Sequence, residues 1–391
     1  MFSVFKPARK LALSACALAT AAFLAACDTI AVGGGGPSIN TSKPVPVALL
    51  VPRGSGQSGD AVLAQSLENS ARLAIADLGN VQIDLRVYDT AGNPNTAAAV
   101  AQQAVNDGAK IILGPVYAQA ANAAGLAVLN KQVNVLSFSN NTNIAGGNVF
   151  VLGPTFSNTA NRLASFAASQ GKSSVVVVHS NDDGGQLGRA AITQAVGRSS
   201  ARVVGTVGYE RSQQGVINSV QTIRSTVSSS GADSLFLTST TAGALPLYSQ
   251  LLPEAGVSPA ATQFIGLTRW DIPSQTLELP GVQGGWFALP DPGKAQAFRS
   301  RYQASYGGAP HPIGGLAYDG IAAIGALVGA GKSDALTGTA LTQNAGFQGV
   351  GGIFRLRPDG TNERGLAVAT IQNKQVVVID PAPQSFSGAG F

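Results

Sequence analysis

The chain is predicted to form two doubly wound α/β lobes, each built on a parallel sheet and joined by a multi-strand hinge. Three observations carry this. Short, nearly continuous apolar runs alternate with helix-period segments, the pattern of parallel strands covered by helices on both faces. The alternation falls into two series of four units with similar spacing. A tail of different rhythm follows once both series are complete.

The first unit spans Val45 to Leu78. Val45, Val47, Ala48, Leu49, Leu50 and Val51 read as a buried strand. Beyond a Gly/Ser loop, Val62, Leu63, Leu67, Ala71, Ile75 and Leu78 recur at helical spacing, while Gln65, Glu68, Asn69 and Arg72 face away. In such units ligands bind beyond the carboxyl ends of the strands, which makes Ser55 and Gly56 candidate cleft residues. Gly54, Gly56 and Gly59 also spell GxGxxG, with Asp84 and Asp89 following, the outline of a dinucleotide fingerprint. The simpler reading is a short loop that needs Gly and Ser to turn sharply. An exported chain would meet no nicotinamide pool, so no cofactor is expected.

Lys6, Arg9 and Lys10 precede an apolar run from Leu11 to Ala26, the charged and hydrophobic regions of a secretory signal. Leu24-Ala25-Ala26-Cys27 resembles the bacterial lipobox, which implies lipidation of Cys27 and membrane attachment through lipid only. Residues 1–26 are then the signal peptide and 27–44 a flexible tether of Gly, Ser, Pro and Asn. Asp28 after the lipidated Cys favours retention at the inner membrane, with the outer membrane as the alternative. Removing the signal lowers the net charge of +5 by the three cations Lys6, Arg9 and Lys10. Charged residues make up only 12% of the chain, and no basic stripe with interleaved aromatics occurs, so a nucleic-acid partner has no support.

Further strands are expected at 81–90, 109–115 and 133–139 in the first series, and at 173–180, 201–210, 234–240 and 262–268 in the second. The tail offers a strand at 281–290, helices at 294–306 and 312–329, and a hairpin-like region at 349–379 turning at Arg357-Pro358-Asp359-Gly360. This organisation assigns 45–156 and 281–345 to lobe one, 157–280 and 346–381 to lobe two, and 382–391 to a tail. Several passages between lobes make a hinge that closes them over a ligand.

The segment from Val45 to Pro381 resembles the type I periplasmic binding proteins, in the leucine/isoleucine/valine-binding branch. Val105-Asn106-Asp107-Gly108 before a strand and Gly114-Pro115, the run from Leu136 to Asn143, Val149-Phe150, Val175 to His179, and Phe347 to Gly360 carry the likeness in order. The resemblance implies a non-enzymatic, extracytoplasmic receptor that passes a small amino-acid-like solute to an inner-membrane ABC permease. It also implies a carboxylate held by lobe-one hydroxyls and N–H groups, an aromatic wall from lobe two and an acid for the ammonium. At the corresponding positions this chain has Ala118, Asn140 with Asn141, Gly184 and Thr268, so each main polar clamp differs. Thr142 stands one residue from the clamp position.

The replacements expected around the cleft are Tyr117 and Gln119 beside Ala118, Ser139 before Asn140, and Asp182 and Asp183. Just beyond Thr268 stand Trp270, expected as an aromatic wall, and Asp271, expected as a carboxylate, while Arg53 and Arg269 are expected to meet an anionic group. His179 and His311 are the only histidines, and no Cys/His cluster, GxSxG elbow or P-loop occurs, so neither a metal site nor an enzyme is expected. Loss of the clamps also fits a degenerate cleft of the same fold acting on a peptidoglycan synthase, as in the penicillin-binding protein activators. Those activators carry a helical N-terminal domain that has no counterpart in the short stretch before Val45.

Overall fold

A computed structural model describes residues 35–386. The signal segment, Cys27 and the first half of the expected tether lie outside the described residues. Lobe one is a five-stranded parallel sheet of β1 (Val45–Val51), β2 (Ile83–Asp89), β3 (Ile111–Leu113), β4 (Asn134–Ser137) and β5 (Val149–Val151), in the order β2-β1-β3-β4-β5. Its first helices are α1 (Asp60–Asp77), α2 (Pro94–Asn106) and α3 (Ala118–Val128).

The chain then enters lobe two through α4 (Phe156–Ser169) and lays down β6 (Ser174–Ser180), α5 (Asp183–Gly197), β7 (Arg202–Tyr209) and α6 (Gln213–Ser230). β8 (Ser234–Leu237), α7 (Leu245–Glu254), β9 (Gln263–Gly266) and β10 (Trp286–Leu289) complete its parallel part. It returns to lobe one for α8 (Pro292–Tyr306), α9 (Gly315–Gly329) and α10 (Gly338–Leu341). A small antiparallel sheet follows, of β11 (Phe347–Gly349), β12 (Gly352–Leu356) and β13 (Asn362–Arg364), turning at Arg357–Gly360 as expected. β14 (Ala367–Gln372) and β15 (Gln375–Asp380) close lobe two, whose order is β15-β14-β10-β9-β8-β6-β7. The five parallel strands of each lobe thus share one winding, with the order reversing beside the first strand.

The continuous apolar runs have a direct cause. Val45, Val47, Leu49 and Val51 of β1 join a core with α1 and α9, whereas Ala48 and Leu50 join a second core with α2 and α3 on the other face. β6 divides in the same way, with Val176 and Val178 on one side and Val175 and Val177 on the other. All positions but the half-buried Pro46 are buried, because the side chains alternate between two cores.

Three features correct the expected boundaries. β10 pairs with β9 (Trp286 opposite Ile265) and with β14, so lobe two extends to Leu289 and the return to lobe one falls at Pro290 rather than after residue 280. The closing region divides: Phe347, Phe354 and Leu356 pack in the lobe-one core, and only β14 and β15 belong to lobe two. The expected tether is docked from Gly35 onward. The Gly35 carbonyl accepts from Asn134 Nδ2 (3.1 Å) and Gly338 N (3.0 Å), and Ile39 is buried in the lobe-one core. A Cβ on Gly36 would lie 2.6 Å from the Thr337 backbone, so only Gly fits there. Part of the C-terminal segment also packs, with Ala382 buried in lobe two and the Phe386 ring 4.4 Å from the Arg355 guanidinium.

The passages between lobes are fastened by one buried ion pair. Asp319 of α9, 1% exposed, accepts from Arg364 Nη1 of β13 (3.0 Å) and from the Val350 N–H (2.8 Å), while Arg364 Nη2 donates to the Leu152 carbonyl at the end of β5. Burial raises the Asp319 pKa against the opposing pull of Arg364. Nearby, Asn362 Nδ2 donates to Val151 O (2.8 Å) and Gly153 O (2.9 Å), and Arg162 Nε of α4 to Leu366 O (2.7 Å). Replacing one partner leaves the other charge buried alone. Arg364→Met is expected to cost about 3–5 kcal/mol in denaturant unfolding. Arg364→Met combined with Asp319→Leu should recover most of that loss.

Candidate functional site

In both lobes the strand order reverses between the first and third strands, and ligands of such sheets bind among the loops leaving those strands. On lobe one the wall is set by how closely β3 approaches β1. A Cβ on Gly114, whose φ is +85°, would lie 2.2 Å from the Leu50 carbonyl oxygen, which fixes glycine at this point.

Tyr117, just beyond, turns its hydroxyl onto Asp60 at the start of α1 (2.7 and 2.8 Å to the two oxygens), and Ser55 Oγ donates to the same carboxylate (2.6 Å). Asp60 is buried, and the Tyr117 ring lies over Gly92, where a Cβ would come within 3.1 Å of it. Burial first, and the Asp60 carboxylate second, push the Tyr117 hydroxyl up to about 12. Ser55 and Tyr117 are therefore brought together, around an acid that the sequence reading passed over. Gly56 is exposed in the β1 loop, and Ala118 and Gln119 form the first turn of α3. Ser139 Oγ accepts from the Asn141 N–H (3.1 Å) and Asn141 Oδ1 from the Asn143 N–H (2.9 Å), so these polar groups hold their own turn. Asn140 and Thr142 are exposed beside it.

Lobe two carries a cavity of about 640 Å³ at the ends of β6, β7, β8 and β9. Phe156, Tyr209, Val216 and Leu247 give it apolar walls, and Ser180, Ser212, Thr240 and Thr268 add hydroxyl side chains to the lining. Thr238 is 8% exposed and its Oγ1 has no hydrogen-bond partner. At the rim Asp182 caps α5 by accepting from Gly185 N (2.8 Å), and also accepts from Ser180 Oγ (2.7 Å) and Arg211 Nη1 (2.7 Å). These bonds, Ser180 first, lower its pKa to about 2. Asp183 is exposed in the first turn of α5.

The expected aromatic wall is corrected by the structure. Trp270 is fully buried in the lobe-two core, its indole against Gly266 and Gly285, where a Cβ would lie 2.2 and 2.3 Å away. A large apolar ring next to two glycines gains more by filling that space than by facing the cleft. Arg269 and Asp271 pair with each other and do not line the cavity. Arg53 is likewise engaged, with Glu68 (2.9 Å) and Asp89 (3.1 Å). Tyr209, Arg211, Ser212, Thr238 and Thr240 were not singled out from sequence; their signal was position, at the ends of the strand-like runs 201–210 and 234–240.

A cavity at the strand ends of one of two similarly wound lobes is the arrangement of a two-lobed solute-binding protein. Residues 44–375 match the family model described as periplasmic binding protein, and the chain belongs to that family. It is thus a binding protein of the periplasm and not an enzyme. Among solved structures it is similar to one from Rhodospirillum rubrum described as a branched-chain amino acid ABC transporter, at 19% identity and a TM-score of 0.73, covering 86% of this chain and 100% of that one. It is also similar to an ABC transporter substrate-binding protein from Desulfitobacterium hafniense in complex with Leu (17%, 0.62, covering 86% and 100%). A solute-binding protein of an ABC transporter from Rhodopseudomonas palustris BisB5, in complex with 3,4-dihydroxybenzoic acid, matches at 17% and 0.57, covering 87% and 98%. No curated protein matches.

Trp270→Ala is expected to destabilise the fold by about 3–5 kcal/mol in denaturant unfolding, the cost of emptying a core site. A cleft-wall side chain would instead change solute affinity with stability within about 0.5 kcal/mol. Because Asp182 is held at about 2, its contribution to stability is present above the ordinary carboxyl range and lost as pH falls through that value. Asp182→Asn should therefore flatten the acid limb of stability between about pH 4 and pH 2.

Proposed function

We propose that this chain is a lipid-anchored extracytoplasmic receptor that captures a small polar solute, of amino-acid size, and presents it to an inner-membrane ABC permease. The observation that carries this reading is the cavity of about 640 Å³ at the strand ends of lobe two. Its volume lies in the range of small-ligand pockets. Three passages of chain, at 152–155, 290–291 and 364–366, leave the lobes free to close on each other.

Anchoring through Cys27 is supported by the motif and by where the chain enters the fold. Gly35 docks beside Asn134 at the start of β4, the end of the lobe-one sheet opposite the cleft. A lipid upstream of that point leaves the cleft open to the surroundings. Among the described residues no helix is long and apolar enough to cross a membrane.

Thermal unfolding of the domain, refolded from denaturant to strip bound molecules, tests the receptor reading against amino acids, amides, sugars and short peptides. A cognate solute at roughly 100 times its Kd should add about 2.7 kcal/mol of stability. A flat response throughout would remove the receptor reading and favour a protein partner such as a peptidoglycan synthase.

A further inference from the structure

The end of lobe one that receives the N-terminal segment carries a surface of its own. Resting on the lipid-anchor reading above, we infer that this end, at the starts of β1, β3 and β4, lies against the bilayer, with Leu126 and Leu129 in the headgroup layer and four lysines on anionic lipid. Leu126 closes α3 and Leu129 opens the single turn that follows; three residues apart, they share one face. They are 64% and 48% exposed, on a face otherwise made of Gln119, Asn122 and Asn130.

Position selects the occupant. The turn carrying Leu129 closes through Gln132 N to the Leu129 carbonyl (3.0 Å), and the Gln132 side chain packs on Gly35, where a Cβ would lie 3.3 Å from it. Cys27 stands eight residues before Gly35. Eight residues reach at most about 28 Å, and β1 alone, seven residues long, spans about 23 Å. A lipid on Cys27 therefore holds this end of lobe one, rather than the carboxyl ends of its strands, next to the bilayer. A contact within that reach is intramolecular, so a small patch suffices.

Charge agrees. Lys43 precedes β1, Lys110 precedes β3, Lys131 lies two residues beyond Leu129, and Lys332 adjoins Ser333, whose carbonyl accepts from Ile39 N (2.9 Å). Of the acids at the same end, Asp77 is paired with Arg301 and Asp84 with Arg86, which leaves Asp107 and Asp334 against the four lysines. Apolar side chains flanked by cations are what an anionic bilayer surface binds.

The full chain purified from membranes supplies the test. With the signal removed its one thiol is Cys27, so the lipidated chain takes no thiol-reactive fluorophore. Labelling of the chain without an introduced Cys would remove the anchor reading and this inference together. Leu126→Cys and Leu129→Cys, each labelled and reconstituted into phosphatidylglycerol/phosphatidylcholine vesicles, should be quenched by uncharged acrylamide about threefold less than Leu187→Cys, at an exposed leucine of lobe two. Lys131→Glu with Lys332→Glu, added to Leu129→Cys, should remove about half of that protection, as should raised salt. Protection unmoved by charge reversal overturns the anionic-lipid assignment. Equal quenching at 126, 129 and 187, with Cys27 blocked, overturns the inference and leaves the anchor standing.

Discussion

The buried contact between Asp319 and Arg364 is the point at which the two halves of this molecule are tied. Asp319 belongs to a helix of the lobe-one core, Arg364 to the last strand before the chain enters lobe two, and the Leu152 carbonyl that Arg364 also reaches ends the first lobe-one sheet. One ion pair therefore touches two of the three passages. Its net contribution is small, because burying both charges costs about as much as their attraction returns. Its directional bonds nevertheless fix where each passage begins. Bending is left to the short segments between them, and the lobes can move as units.

The cleft follows from how each lobe is wound. A sheet whose order reverses beside its first strand leaves a gap between diverging loops at the carboxyl ends, and each lobe has such a gap. The walls then differ in chemistry. Lobe one presents an internally satisfied surface, in which Asp60, Ser55 and Tyr117 answer one another. Lobe two presents volume and a mixed lining, apolar at Phe156, Val216 and Leu247 and polar at Ser180, Arg211, Ser212 and Thr240.

The fold was legible because burial on both faces of a parallel sheet writes itself as uninterrupted apolar runs, and β1 and β6 show the alternation between two cores that produces them. The boundaries were less so. The strand at 286–289 looks the same in sequence whichever sheet it joins, and only its pairing with β9 and β14 assigns it to lobe two. The segment before Val45 reads as flexible by composition, yet Gly35, Gly36 and Ile39 dock, since a glycine that fits a tight contact is spelled like one in a loose loop. Site residues suffered most. Trp270 follows a strand end as a cleft aromatic would, and its burial depends on Gly266 and Gly285, one of them from a later segment. Asp60 was hidden for the same reason: its partners Tyr117 and Ser55 come together only when β3 lies beside β1.

The most direct test of the account is to isolate the protein from its own cells without denaturation and identify by native mass spectrometry and extraction what it carries. The account expects one small molecule, bound to the intact chain and released on unfolding. A chain that carries no small molecule and is recovered instead with a protein partner would contradict it.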